Sequence, residues 1–198
     1  MVEPEEICRF WVDEIGPDGW YVQDEALDAD IRARFLESWE AVAAGARLPW
    51  GWTAREVLAR LILVDQFPRN MFRGDGRSFD TDGMAREWSK WAVAERKDAR
   101  VTGLAQQFFY LPLMHSEVLA DQDAAVRLFL TRMPGTDNLR HARAHRQVIR
   151  DFGQFPYRNA ALGRPSSARE LAYLEAGGYR WSLNHVDDAG GGSWGSHE

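Results

Sequence analysis

Apolar side chains recur every three or four positions along most of this chain, which is the spacing that an amphipathic helix produces. The clearest stripes lie in segments 31–42, 58–62, 84–91, 118–133, 139–149 and 171–174. No stretch alternates apolar and polar β-branched residues as a strand does. The pattern therefore predicts an all-α protein of about six to eight helices in a single domain.

Local signals predict where several of these helices begin and end. Two capping boxes, "TARE" at 53–56 and "SARE" at 167–170, place a hydroxyl before the helix and a Glu three residues later. Pro68 and Gly153 are expected to end helices, because proline lacks an N–H and glycine accepts a left-handed backbone. Further N-caps are predicted at Thr81 or Asp82, at Ser116 and at Asp137.

One short phrase occurs twice, as "DQFPRN" at 65–70 and as "GQFPYRN" at 153–159. Each copy comes after a helical stripe, so both are predicted to mark a helix end with a buried Phe, a Pro that stops the helix and an Asn that caps the next segment. Two related helix pairs explain the repetition, and chance recurrence of a short phrase is the alternative.

Composition limits the domain count, the partners and the compartment. A chain of 198 residues with 45% hydrophobic content fits one domain, here residues 1–186, followed by a Gly-rich tail at 187–198 that is predicted to be flexible. The net charge of −6 argues against nucleic acid and membrane surfaces as partners. A single cysteine and an acidic N-terminus without a signal peptide favour the cytoplasm.

Charge is distributed unevenly along the chain. Residues 1–50 hold twelve acidic and four basic side chains, whereas residues 131–170 hold eight arginines and three acidic side chains. Two solvated faces of opposite sign, or two faces that attract each other, would produce this pattern. An arginine-lined site for a carboxylate or a phosphate would produce it as well.

Four motifs in the same order resemble a bacterial family of unknown function called DUF924. The motifs are "LILVDQFPRNMFRG", "FDTDGMA", "FFYLPLMHSE" and "FGQFPYRNAALGR", within a match from about residue 11 to residue 179. The resemblance implies a tetratricopeptide-like α-α superhelix with a concave surface, and no established reaction. The chain departs from the family at Gln154, where a basic residue is usual, and at Tyr157, where histidine is frequent.

Three histidines and one glutamate are candidates for chemistry. His115 and Glu117 are predicted catalytic residues, with His115 as acid or base and Glu117 as its orienting carboxylate; the alternative is that this segment only begins a helix. His141 and His145 have the i, i+4 spacing of metal ligands, but Ala142 stands where a zinc hydrolase carries Glu. We expect no metal and no cofactor.

Eight polar residues, most of them in the doubled phrase, form the predicted ligand-binding set. An arginine forks onto a carboxylate or phosphate and an asparagine reads a neighbouring amide or hydroxyl, so two Arg-Asn pairs suit an anionic ligand. The alternative is that internal acids pair with these arginines and staple loops. The set comprises Asp65, Gln66, Arg69, Asn70, His145, Arg158, Asn159 and Arg164.

These observations leave three functions open. The leading one is a soluble cytoplasmic protein that binds a small anionic molecule or a peptide carboxylate in a groove lined by the two Arg-Asn pairs and the His-Ser-Glu motif. The second is a hydrolase or group transferase that uses His115 and Glu117 in the same pocket. The third is a protein-interaction scaffold whose motifs are purely structural. A homo-oligomer is compatible with each of them.

Overall fold

The computed structural model describes residues 1–186 and 194–195, and within them every regular element is helical, as predicted. The chain divides into two compact units, Met1–Pro112 and Leu113–Glu198. The single domain over residues 1–186 therefore stays a prediction. Most of the predicted tail, residues 187–193 and 196–198, lies outside the described residues. No helix in the described part is long and apolar enough to cross a membrane.

The first unit is built from short and long helical segments. Its α-helices are α1 (Pro4–Cys8), α2 (Gly16–Gly19), α3 (Glu25–Ala43), α4 (Ala54–Leu61), α5 (Phe67–Met71) and α6 (Asp82–Ala94). Two π-helical turns, Arg9–Ile15 and Ile62–Gln66, join α1 to α2 and α4 to α5. Three 3-10 turns follow at Gly76–Phe79, Asp98–Arg100 and Leu104–Phe109.

The second unit centres on a pair of long helices. Helix α7 (Leu111–Met114) spans the division between the units. It is followed by α8 (Leu119–Arg132), α9 (Asn138–Phe152), a 3-10 turn (Pro156–Arg158), α10 (Ala168–Glu175) and α11 (Tyr179–His185). Helix α9 packs against both α8 and α11. The described chain thus holds more helices than the six to eight predicted, because π turns and prolines divide it into segments too short to show an apolar stripe.

Both predicted capping boxes are present. In α4 the Thr53 hydroxyl accepts the backbone N–H of Glu56 at 3.3 Å, and the Glu56 carboxylate accepts the Thr53 N–H at 2.8 Å. In α10 Ser167 and Glu170 make the same exchange at 3.3 and 2.7 Å. The predicted cap at Ser116 is wrong by two residues, since α8 begins after Val118 and the Ser116 hydroxyl instead accepts the Val118 N–H.

The first copy of the doubled phrase contradicts the prediction that Pro68 ends its helix. The π turn Ile62–Gln66 leads directly into α5, where Pro68 occupies the first turn and needs no N–H donor. In a regular α-helix the Val64 carbonyl would accept from residue 68. Here the buried Thr81 hydroxyl donates to that carbonyl at 2.5 Å, and it also accepts the Trp39 indole N–H at 3.1 Å.

The second copy matches the prediction more closely. Helix α9 ends at Gly153, whose φ of 72° lies in the left-handed region, and the Gly153 N–H donates to the Ile149 carbonyl at 2.9 Å. Phe155 is fully buried and Pro156 opens a 3-10 turn. The same phrase therefore continues as an α-helix in the first unit, whereas in the second it forms a short loop followed by a 3-10 turn.

Each unit has an aromatic core. In the first unit Phe67 stacks on Phe35 with ring centroids 4.6 Å apart and meets Trp11 edge-on at 5.5 Å. In the second unit Phe155 and Tyr173 pack with aliphatic residues of α9. The anchoring role predicted for the phenylalanine of each phrase is confirmed by its complete burial.

Candidate functional site

In the first unit, the arginine of the doubled phrase is held by acidic residues. Nη2 of Arg69 lies 2.8 and 3.0 Å from the two carboxylate oxygens of Asp82, and Nη1 lies 3.3 Å from the Asp65 carboxylate. Nη1 also donates to the Asp65 backbone carbonyl. Two carboxylates thus match one guanidinium, which is the stapling arrangement that the sequence offered as an alternative to ligand binding.

The asparagine of the same phrase belongs to a second internal chain of hydrogen bonds. The Gln66 amide donates to the Asn70 side-chain oxygen at 3.1 Å, and the Asn70 amide donates to Asp28 at 2.8 Å. Arg73 completes the chain with two hydrogen bonds to the same Asp28 carboxylate. Asn70 is buried, and it orients Asp28 toward Arg73.

In the second unit, Glu117 pairs with Arg164. The two guanidinium nitrogens lie 2.7 and 2.9 Å from the carboxylate oxygens, and the Phe155 N–H donates to Glu117 at 2.7 Å. Burial alone would raise the pKa of Glu117, but hydrogen bonds from Arg164 and Phe155 outweigh it and hold that pKa below its usual value. Both carboxylate oxygens of Glu117 thus serve Arg164, and its predicted catalytic pairing with His115 remains a prediction.

Asn159 extends this network toward α10. Its oxygen accepts from Nε of Arg164 at 2.9 Å, and its amide donates to Ser166 and Glu170 at 3.0 and 3.3 Å. Gln154, one of the two departures from the family pattern, donates to Glu170 at 2.7 Å. These side-chain bonds and the capping bonds lower the pKa of Glu170 to about 2.

His145 differs from the other predicted residues because one of its ring nitrogens has no partner among the residues that the structure describes. Its Nδ1 lies 2.9 Å from the His141 carbonyl, which only accepts, so Nδ1 carries the proton and Nε2 holds a lone pair. Within the part of the chain that the structure describes, Nε2 makes no hydrogen bond. Burial, then the charges of His115, Arg158 and His141, lower the pKa of His145 to about 3 although the bond to His141 opposes this.

Aromatic rings and one arginine surround His145. Its ring centroid lies 4.5 Å from Tyr179, 5.5 Å from Phe155 and 6.4 Å from His115. Tyr157 stacks on Phe155 at 5.3 Å, and the Arg158 guanidinium lies 4.5 Å above the Phe155 ring. We call this group the histidine–tyrosine cluster; it comprises His115, His145, Phe155, Tyr157, Arg158 and Tyr179.

The sequence did not identify a hydrogen-bond chain beside this cluster. The Tyr179 hydroxyl lies 2.6 Å from Nδ1 of His141, and Nε2 of His141 lies 3.2 Å from the Asp137 carboxylate. Because the carboxylate favours a proton on Nε2, Nδ1 accepts from Tyr179. The i, i+4 spacing of Asp137 and His141 was a signal for half of this chain, whereas nothing in the spacing pointed to Tyr179.

The predicted residues therefore fall into three groups. Asp65, Gln66, Arg69 and Asn70 form internal networks in the first unit; Glu117, Asn159 and Arg164 form one in the second; His115, His145 and Arg158 lie in the cluster. His141 and His145 direct their Nδ1 atoms to different partners. Across the described residues, no group of three or more His, Cys, Asp or Glu side chains is arranged to hold a metal ion.

Comparison with known proteins agrees with the resemblance seen in the motifs. Residues 7–178 match the family described as "Bacterial protein of unknown function (DUF924)". A solved structure, a protein of unknown function, ATU0120, from Agrobacterium tumefaciens, is 37% identical in sequence and superposes with a TM-score of 0.82. That similarity covers 88% of this chain and 97% of the other. The comparison with curated proteins gives no match.

Proposed function

Because the chain belongs to the DUF924 family, whose members are described as bacterial proteins of unknown function, we propose a function from the site itself. The second unit binds a small organic anion, either a free carboxylate or the carboxylate of a peptide, at the histidine–tyrosine cluster. The internal networks of Glu117, Asn159 and Arg164 hold the loop that carries Arg158.

The observation that carries this proposal is Nε2 of His145, which has no hydrogen-bond partner among the described residues and lies within the influence of the Arg158 charge. Arg158 lies close enough to His145 to lower its pKa through its charge. A ligand N–H or O–H group would donate to Nε2, and a carboxylate on the same ligand would be attracted by the nearby Arg158 guanidinium. Tyr157, which is partly exposed, offers a ring face for a flat ligand body.

Calorimetric titration with glycolate, lactate, malate and inorganic phosphate, which are anions that also carry an O–H group, tests the proposal. Wild type should bind at least one of these anions. Arg158→Met should weaken that binding about tenfold or more, since a hydrogen bond to a charged group contributes roughly 1.5–3 kcal/mol, and His145→Gln should weaken it severalfold, since a neutral hydrogen bond contributes roughly 0.5–1.5 kcal/mol. Arg150→Met is the matched control, because Arg150 is an exposed arginine of the same helix as His145. Unchanged affinity in both cluster variants would contradict the proposal.

Imidazole NMR gives an independent measure on the wild-type protein. An anion close to His145 stabilises the protonated ring, so the pKa of His145 should rise from about 3 when the ligand is bound. A ligand that binds while the pKa of His145 stays constant would place its site elsewhere.

A second candidate function is acid–base catalysis, and the chain from Tyr179 through His141 to Asp137 favours it. This arrangement orients the phenol at the edge of the cluster, 4.5 Å from His145 between ring centroids. We expect hydrolysis or group transfer to depend on Tyr179 as well as on the earlier candidates His115 and Glu117. Activity of wild type on ester and phosphoester panels, lost in Tyr179→Phe, tests it; equal activity of the variant removes Tyr179 from the reaction.

The tetratricopeptide-like arrangement and the cytoplasmic location, both expected from the sequence, also remain proposals. The hairpin of α8 and α9, with α11 against α9, supports a tetratricopeptide-like arrangement in the second unit. Small-angle scattering would distinguish an elongated superhelix from a compact particle.

Fractionation of cells that express the tagged chain would test the cytoplasmic location.

A further inference from the structure

One arginine of the first unit is buried without an acidic partner. Arg60, in α4, is only 3% exposed. No carboxylate among the described residues forms an ion pair with it. Glu56, one turn earlier, acts on it only through its charge, because the Glu56 oxygens accept from Thr53 and Gly51. An unmatched buried guanidinium is costly, by several kcal/mol in typical proteins.

Backbone carbonyls satisfy only one end of this guanidinium. Nη2 donates to the carbonyls of Trp50 and Gly51 at 2.7 and 3.1 Å. Nε is enclosed without a partner among the described residues, whereas Nη1 is not enclosed and has no hydrogen bond to any of them. The indole N–H of Trp50, a residue 7% exposed, is likewise enclosed without an acceptor. These two enclosed donors therefore have no acceptor from the described chain, and Nη1 is the guanidinium nitrogen that remains for a ligand.

Both residues line a cavity of about 400 Å³. Its walls include the indoles of Trp50, Trp52 and Trp88, which lie 5.2, 4.3 and 5.7 Å from the Arg60 guanidinium carbon. Arg47, an exposed residue, also lines the cavity and adds a second cation. The volume lies within the roughly 300–1,000 Å³ range of small-molecule pockets.

We infer that this cavity binds a small carboxylate attached to a flat apolar body. The carboxylate neutralises Arg60 and accepts from Nη1 of its guanidinium. The apolar body packs against the indole rings that line the cavity, which offer flat apolar faces to an aromatic group. The site lies in the first unit and is separate from the histidine–tyrosine cluster.

The purely structural interpretation makes a different prediction. If the three indoles and two carbonyls were sufficient for Arg60, then neutral and anionic ligands of equal shape would bind equally, or neither would bind. Charge selectivity at constant shape therefore distinguishes a ligand site from a structural cation–π arrangement.

The experiment titrates the intact protein with phenylacetate and with phenylacetamide, its neutral isostere, by calorimetry up to about 10 mM, a range that includes weak fragment affinities. We expect saturable binding of phenylacetate, at least tenfold weaker binding of phenylacetamide, and quenching of tryptophan fluorescence. Equal binding of the two probes, or no binding of phenylacetate, would overturn the inference.

Variants assign the binding to this cavity. Arg60→Met keeps the side-chain length and removes the charge, so phenylacetate affinity should fall about tenfold or more, whereas Arg60→Lys should retain part of it. Arg9→Met, at an exposed ion pair with Glu14, is the matched control. Should Arg60→Met fail to fold, the comparison of the two probes on wild type still decides the outcome.

His145→Gln separates this inference from the proposed function. That variant should bind anions more weakly in the second unit while its tryptophan quenching by phenylacetate is unchanged. Loss of the quenching in His145→Gln, with retention in Arg60→Met, would assign the phenylacetate site to the second unit and overturn the inference.

Discussion

At the scale of single residues, the hydrogen bonds of buried polar atoms show which side chains are used to hold the structure together and which could contact a ligand. The Thr81 hydroxyl satisfies two buried groups at once, the Val64 carbonyl and the Trp39 indole. The helix signal in the sequence placed Thr81 correctly at the start of α6, but its side chain does not cap that helix. A hydroxyl that bridges three segments cannot be inferred from spacing, because its partners are distant in sequence.

Replacement of Thr81 by Val should lower the free energy of unfolding by about 2 kcal/mol, since it leaves a buried acceptor and a buried donor unsatisfied at nearly constant volume. Thr81→Ser keeps the hydroxyl and should cost less than half as much. Urea denaturation at neutral pH measures both variants. A Val variant as stable as wild type would show that the two groups find other partners.

Acid stability should depend on Glu170. Its pKa of about 2 in the folded protein lies below the usual 4.5, so its stabilising contribution is complete above about pH 4.5 and is lost as pH falls toward 2. Glu170→Gln should therefore be less stable than wild type at pH 7, by about 1 kcal/mol as for other lost caps, and should show a flatter decline in acid. Denaturation at a series of pH values tests this, and parallel curves would contradict it.

At the scale of helices, the sequence predicted what is encoded locally and missed what a neighbouring segment supplies. Both capping boxes and the end of α9 at Gly153 were predictable because each signal lies within a few residues of its effect. Pro68 was misinterpreted because proline forbids a helix interior but not a first turn, and the π turn before it restarts the helix. No residue type in Ile62–Gln66 announces that turn.

The end of helix α9 tests whether Gly153 is needed there for its left-handed backbone conformation. An added Cβ at Gly153 meets no atom within 4 Å, so any penalty comes from its φ of 72° and not from a clash. Gly153→Ala should destabilise the protein by about 1 kcal/mol, and Gly153→Asn by less, because Asn tolerates the left-handed region better. Thermal unfolding of the two variants measures the difference, and equal melting temperatures for Ala and wild type would contradict it.

The sequence identified several residues of the candidate site, but it did not predict which partners their side chains contact. Arg69 and Arg164 were expected to pair with acids or to meet a ligand, and only the fold decides in favour of Asp82 and Glu117. Arg60 was missed for a different reason: in "TAREVLAR" it occupies a position that a helical stripe assigns to the surface. Its burial comes from tryptophans before and after α4.

At the scale of the whole molecule, the two proposed ligand sites belong to different compact units. The cavity at Arg60 lies in Met1–Pro112 and the histidine–tyrosine cluster in Leu113–Glu198. Occupancy of one site should slow amide exchange mainly in the segments that line it. This expectation needs no knowledge of the natural ligands.

Hydrogen exchange with mass spectrometry should map phenylacetate protection to segments 42–60 and 84–88, which contribute to the cavity wall. An anion bound at the cluster should protect segments 141–158 and 179–185 instead. Peptides from 119–132 serve as an internal reference. Protection spread evenly over both units would contradict two independent sites.

The π turn at Ile62–Gln66 has a consequence for how relatives are aligned. A π turn accommodates one more residue than an α-helical turn, and each added residue rotates the following side chains by about 100°. A relative that is α-helical throughout this run should therefore lack one residue between positions 62 and 66. Its alignment with this chain needs a single gap there, and a gap placed after Pro68 would pair Phe67 and Pro68 with the wrong residues.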